Sequence, residues 1–301
     1  MVEFPSIIDS TIIAAKRSCL QKVFRTYIEH WKPKGESIHL HAGAAFARGL
    51  EAARRLYYED GTDAETAIAG GFQALTEAYG GFQPPEGSAK TLAGMQGALL
   101  YYFNRWPLGV GSCNPHLFPS GKHGIEFSFS LPLPYLHPVT KDPIIYCGRS
   151  DMIADFADGL YIEDDKTASQ LGPSWSRQWE LRSQFTGYCW AAQESGFPVN
   201  GVIIRGVSIL KRGYGDAEHI TYRSQWEIDR WLKQLLKDLA DMESAWQSGY
   251  WDYALDHACD EYGGCSLKQI CKSPEPETWL PMYFEKRKWN PLDRSEVKLE
   301  A

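Results

Sequence analysis

Between Gly148 and Thr167 the chain carries two stretches of strand-like sequence that close on acids and a lysine. Ile144 to Phe156 and Leu160 to Asp164 read as strands joined across Ala157-Asp158-Gly159, a turn sequence. Asp164 and Lys166 are two residues apart and share one face, with Cα atoms about 7 Å apart. A turn centred between Ala157 and Asp158 makes paired residue numbers sum to 315 and sets Asp151 opposite Asp164. A turn on Asp158-Gly159 sets Asp151 opposite Lys166 instead, still on the same face. A three-residue loop shifts the face and breaks the arrangement. Two carboxylates converging beside a lysine suit a hard, oxygen-seeking cation such as Mg²⁺ or Mn²⁺. Exposed acid–lysine pairs are also common and carry little energy. The hairpin alone therefore leaves a solvated surface ribbon open.

The rest of the chain sets this hairpin in an α/β context. Residues 8 to 105 read as mostly helical, with Ile12, Ala15, Cys19, Val23 and Tyr27 on one helix face. Ala42 to Tyr58 forms a second helix, and Thr62 or Asp63 caps a third through Ala78. Ser88 to Trp106 reads as one more, ended by Pro107. Ile125 to Leu131 alternates as a strand does. Ser174 to Glu194 is a Trp-rich helix, Val202 to Leu210 a buried strand with Ile220 to Tyr222 beside it, and Gln225 to Gln247 a long amphipathic helix. The expected architecture is a single domain over 1–301. It comprises a helical lobe (1–110), a core (120–225), a helix with a Cys-rich segment (226–275) and a polar tail (276–301).

Composition narrows the function. The net charge of −7 argues against a protein that coats DNA through non-specific phosphate contacts. It leaves room for an enzyme that handles nucleic acid through a narrow channel and a metal. No apolar run is long enough to span a membrane, and Met-Val-Glu-Phe-Pro-Ser lacks the order of a signal peptide, so a cytoplasmic protein is expected. No phosphate-binding Gly-x4-Gly-Lys loop, serine elbow or His-Glu-x-x-His helix is present.

Taken together, the motifs resemble the PD-(D/E)XK nuclease superfamily, in particular its RecB-like exonucleases and their CRISPR-associated and phage relatives. Gly148-Arg-Ser-Asp151 resembles the family's Gly-x-x-acid strand, and Asp164-Asp165-Lys166-Thr167 its Asp/Glu-x-Lys-Thr strand. Gln184-Phe-Thr-Gly-Tyr188 resembles its Gln-x-x-x-Tyr helix, and Glu126 its upstream glutamate. The resemblance implies a restriction-endonuclease-like core, a central mixed sheet flanked by helices, and a metal-dependent DNA exonuclease of phage or mobile-element type. Asp151 and Asp164 would hold the metal, with Asp165 contributing its carbonyl. Lys166 would position the attacking water, and Gln184 and Tyr188 would support the site or the strand. One departure stands out. Gly43-Ala-Ala-Phe-Ala47-Arg-Gly-Leu50-Glu51 matches a helix in which many relatives carry a metal-binding histidine, and here that position is Ala47. His39 and His41 are out of register and read as capping or packing residues. Glu51 is a candidate to complete the metal set.

Cys259, Cys265 and Cys271 lie within thirteen residues around a Gly-Gly bend. Their gaps do not match Cys-x2-Cys zinc knuckles and suit an irregular loop around a larger cofactor. Cys19 is the natural fourth ligand for an iron–sulfur cluster. Several RecB-like nucleases bind a [4Fe–4S] cluster through one N-terminal and three C-terminal cysteines, and the resemblance implies the same here. Zinc and free thiols remain open on the residues alone. A cluster would close a loop of about 240 residues, which otherwise carries an entropic cost.

Cys147 and Cys189 are expected in the core, and so are most tryptophans of the Trp175, Trp179, Trp190, Trp226, Trp231 and Trp246 set, with base stacking in a single-strand channel as the alternative. Arg48, Arg54, Arg55, Arg177, Arg182, Arg205, Lys211 and Arg212 read equally as walls of a DNA channel or as a solvated face. Two other functions fit the sequence. One is a DNA-binding module on a decayed nuclease fold, and the other is a scaffold recruiting a recombination or replication protein.

Overall fold

Local side-chain chemistry sets the helix starts. The computed structural model describes residues 3–157, 159–260 and 264–298. Strand β1 (Ile7–Ile8) leads into α1 (Ser10–Ser18), where the Asp9 carboxylate accepts the Ile12 N–H at 2.8 Å. After α2 (Leu20–Val23) and a π-turn come β2 (Trp31–Pro33), α3 (Ile38–Tyr58) and α4 (Ala64–Tyr79). Asp63 caps α4 and Thr91 caps α5 (Leu92–Arg105). Next are β3 (Asn114–Pro115), β4 (Ile125–Leu136), β5 (Pro143–Phe156), β6 (Gly159–Ala168), α6 (Pro173–Arg177) and α7 (Ser183–Glu194). The chain continues through β7 (Val199–Leu210), β8 (Gly213–Tyr222) and α8 (Gln225–Ser248), the last opened by a Ser224–Glu227 capping box. Helices α9 (Lys268–Lys272) and α10 (Pro276–Tyr283) and strands β9 (Phe284–Asn290) and β10 (Ser295–Lys298) follow.

Four elements differ from the sequence reading. The first helix breaks at Cys19, whose backbone is extended (φ −170°, ψ 126°), so this cysteine lies between α1 and α2. The stretch Ser88 to Trp106 becomes helical only at Leu92, because Thr91 takes the Gly94 N–H and sets the boundary there. The Trp-rich stretch is two helices. Arg223 donates to the Trp179 carbonyl and the Thr186 hydroxyl, clamping the break between them. The expected polar tail holds α10 and a β9–β10 hairpin, with β9 antiparallel to β2.

The chain forms two compact units. One comprises residues up to Gly35, Phe129–Gly148 and Asp229 onward; the other comprises Glu36–Ser128 and Arg149–Ile228. In the first, β1 runs parallel to β5 at Ile145 and Tyr146. Asp238 of α8, almost fully buried, accepts from Lys16 and Arg17 of α1, both at 2.7 Å. Leu267, Ile270, Leu280 and Phe284 form a small core with Trp31 and Cys265.

The second unit contains a mixed sheet. β5 and β6 are antiparallel, β6 and β7 parallel, and β7 and β8 antiparallel. Helices α3, α4 and α5 cover one face, where Phe46, Leu50, Leu75, Met95 and Leu99 pack with Val207 and Ile209 of β7. On the other face Gly206 of β7 lies against the Trp175 ring of α6, which a Cβ there would meet at 2.4 Å. A central mixed sheet flanked by helices is thus present, as the sequence suggested.

Helices α3 and α4 cross at two glycines. A Cβ on Gly71 would stand 2.7 Å from the Gly49 carbonyl oxygen, a backbone atom that cannot swing away. Gly71→Leu is expected to cost about 3 kcal/mol by overpacking, read as a lowered denaturant midpoint. Gly81→Leu, where a Cβ meets nothing within 4 Å, is expected to leave the midpoint almost unchanged.

Candidate active site and cysteine centre

The β5–β6 hairpin pairs Met152 with Glu163 and Phe156 with Gly159. This is the register centred between Ala157 and Asp158, although Asp158 itself lies outside the described residues. One step beyond the last pair, Asp151 and Asp164 stand on facing strands. There the ladder gives way to a side-chain bond, in which Asp151 Oδ2 accepts the Asp165 N–H at 2.7 Å. Lys166 Nζ contacts Asp164 Oδ1 and lies 5.9 Å from the centre of the Phe185 ring of α7. One helical turn along α7, Tyr188 is close enough to Lys166 to act on its charge, and its hydroxyl takes Gln184 Nε2 at 2.9 Å. Asp151, Asp164, Lys166, Tyr188 and Gln184 therefore gather on the α7 side of the sheet.

Their electrostatics follow from burial. Burial is the largest influence on Asp151 and pushes its carboxyl up, with Lys166 and the Asp165 N–H drawing it only partly back. Burial pulls Lys166 down, but Asp164 and Asp151 outweigh it and hold the ammonium above the ordinary lysine value. The buried Asp164 and the partly buried Asp151 face each other as a donor pair of the kind a divalent cation takes. Among the described residues no three His, Cys, Asp or Glu side chains already stand in a metal-holding arrangement. Lys166 sits on Asp164, and a backbone N–H sits on Asp151.

The other candidates lie elsewhere. Strand alternation sends the Asp165 side chain to the opposite face, where Arg54 Nη2 meets it at 2.8 Å. Its carbonyl stays with the main chain. Glu126 adopts a left-handed backbone (φ 55°), uncommon for a non-glycine residue, and its carboxylate meets Arg149 Nε at 2.5 Å. Glu51 is held by Arg48 and Arg55 of its own helix at 2.6 and 3.1 Å. Gly43 of α3 approaches Thr167, and Arg54 meets β6 three turns on, so Ala47 belongs to the helix face that meets β6. His41 bonds Glu36 and the Tyr79 carbonyl and stacks on Phe82, while His39 is exposed.

Behind β6 is a feature that sequence reasoning missed. Glu163 is completely buried, and accepts from Arg54 Nη2 at 2.6 Å, Cys113 Sγ at 2.9 Å and Tyr102 Oη at 3.3 Å. Arg205 Nη1 lies 3.1 Å from its second oxygen. Burial would raise the Glu163 carboxyl, but Arg205 and Arg54 outweigh it and hold it below the ordinary range. Arg54 and Arg205 are thus neither channel walls nor a solvated face. The available signal was the Glu163/Asp165 alternation, which requires buried cations if both faces of β6 are covered. Trp175, Trp179, Trp190 and Trp231 are buried, as are Cys147 and Cys189, whereas Trp226 is exposed and Trp246 partly buried.

The cysteine centre lies within the first unit. Cys19 Sγ accepts the Ala254 N–H at 3.4 Å, and Cys259 Sγ donates to the carbonyl of the same residue at 3.8 Å. Cys265 N–H bonds the Cys259 carbonyl at 2.9 Å, and Cys271 sits on α9. Burial, followed by the charges of Cys265, Cys19 and Cys259, pushes the Cys271 thiol up to about 11. Among the described residues these thiols do not stand in a metal-holding arrangement, and their mutual charges oppose joint deprotonation.

No protein-family model and no curated protein matches the sequence. Among solved structures, the chain resembles the crystal structure of a "Putative exonuclease" from Eubacterium rectale at 12% identity. That match covers 85% of this chain and 88% of the other with a TM-score of 0.48. It also resembles the crystal structure of SSO0001 at 12% identity, covering 66% and 74% with a TM-score of 0.29. Among the described residues no helix is long and apolar enough to cross a membrane.

Replacing Glu163 leaves two buried guanidiniums without their shared anion. Glu163→Gln is expected to lower unfolding free energy by about 3–5 kcal/mol, measured by denaturant titration.

Proposed function

We propose that the protein is a metal-dependent DNA nuclease acting on DNA ends or single strands. The observation that carries this reading is the convergence of Asp151, Asp164 and Lys166 beside Tyr188. Asp151 and Asp164, with the Asp165 carbonyl, would hold Mg²⁺ or Mn²⁺, which supplies Lewis-acid stabilisation of the charge growing at phosphorus. The Lys166 ammonium, once drawn off Asp164, orients the attacking water and keeps its own proton. Gln184 fixes the Tyr188 hydroxyl by a hydrogen bond, so the pair presents one rigid polar edge to the strand. Glu126 and Glu51, both engaged with arginines, shape the surroundings of the site. End-labelled single-stranded DNA should shorten with Mn²⁺ or Mg²⁺ and not with EDTA. Lys166→Ala should reduce cleavage by at least about 100-fold, and wild-type cleavage by that variant would sink the assignment.

Ala47 favours a second reading. Position 47 is alanine where relatives place a metal-binding histidine, which suits a module that binds DNA, or recruits a recombination or replication protein, without cutting. Gel shift without shortening, in every metal, would select the DNA-binding module, and protein binding with no DNA affinity the scaffold.

We assign Cys19, Cys259, Cys265 and Cys271 to a structural [4Fe–4S] cluster. Anaerobically purified protein should contain iron and acid-labile sulfide, both lost in Cys265→Ser. Zinc without sulfide would replace the cluster by a zinc site.

A further inference from the structure

A cavity of about 340 Å³ opens on the face of the second unit opposite Asp164 and Lys166. Its volume falls in the range of small-molecule sites. Arg54 and Arg205 line it, both more than nine-tenths buried. Arg54 uses Nη2 for Glu163, Tyr102 and Asp165, and Arg205 uses Nε for Glu218 and Nη1 for Glu163. Among the described residues no acceptor meets Nε or Nη1 of Arg54, or Nη2 of Arg205. Two guanidiniums thus retain donors toward a cavity whose walls are aromatic. The Tyr102 and Trp106 rings lie 4.8 Å apart, with Arg205 over the Trp106 ring at 5.2 Å and Arg54 over Tyr102 at 5.8 Å. The rim carboxylate on Arg205, Glu218, is about a third exposed.

Guanidinium donors beneath flat rings recognise a planar ring that carries an anion. We propose that this cavity binds a nucleoside monophosphate. Its base would stack against Trp106, and its phosphate would take the unused N–H groups of Arg54 and of Arg205 Nη2, and Arg205 Nε once Glu218 leaves it. The site is separate from Asp151 and Asp164, so the inference does not rest on the nuclease reading. An aromatic carboxylate shares the chemistry of ring plus anion and is distinguished in the test.

The test is equilibrium titration of the full chain in EDTA with dAMP, deoxyadenosine, inorganic phosphate and benzoate. Saturable dAMP binding at least about tenfold tighter than either half-ligand is expected, because ring and anion act together. Trp106→Leu should weaken it by about tenfold. Glu218→Gln, a substitution at a partly exposed rim, should tighten it by about threefold or more by freeing Arg205. Lys166→Ala should leave it unchanged. Absence of dAMP binding, or binding insensitive to both Trp106→Leu and Glu218→Gln, would overturn the proposal. Equal affinity for phosphate alone would also overturn it, and so would loss in Lys166→Ala, which would put the nucleotide at the carboxylates. Tighter binding of benzoate than of dAMP would replace the nucleotide by an aromatic acid. Cleavage is not part of the measurement, so the nuclease reading stands or falls separately.

Discussion

Glu163 is fully buried in the middle of a strand covered on both faces, and a carboxylate there is tolerated only with cations brought to it. Arg54 from α3 and Arg205 from β7 supply them. This requirement fixes much of the second unit. It sets which face of α3 meets the sheet and brings Tyr102 of α5 and Cys113 of the following loop to the same carboxylate. It also fixes the orientation of β6. With Glu163 facing α3, alternation leaves Asp164 and Lys166 no choice but the α7 side.

Strand β6 therefore carries charge on both faces, arranged differently. On the α3 face Arg54 and Arg205 pair with Glu163, Asp165 and Glu218 at the edge of a cavity. On the α7 face Asp164 holds Lys166 and Asp151 accepts the Asp165 N–H.

The hairpin was legible because register in a two-stranded ribbon follows from turn position, and the turn residues are local. The same holds for the Asp63 cap and the Gln184–Tyr188 pair, whose partners lie within four residues. Features that depend on distant partners were not legible. Arg54 and Glu163 are separated by 109 residues, and nothing near either one announces the other. Similarly, β9 finds β2 only through the folded chain, and residues that look like a polar tail become the middle strand of a small sheet. Helical spacing through Cys19 suggested one continuous helix, whereas an extended backbone turns that thiol out of the helix and toward Ala254.

The first unit is assembled from three separated stretches of chain, the last of which starts at Asp229. During synthesis at roughly 5–20 residues per second, the stretch ending at Gly35 leaves the ribosome about 10–40 seconds before that partner is made. Throughout this interval Ile12, Ile13 and Val23 have no finished core to enter, and Lys16 and Arg17 have no Asp238. The second unit needs nothing beyond Ile228 and can complete its sheet first. The nascent chain thus carries an unsatisfied apolar segment on the N-terminal side of a body that is already folded. Chaperones that hold exposed apolar segments would find their target there.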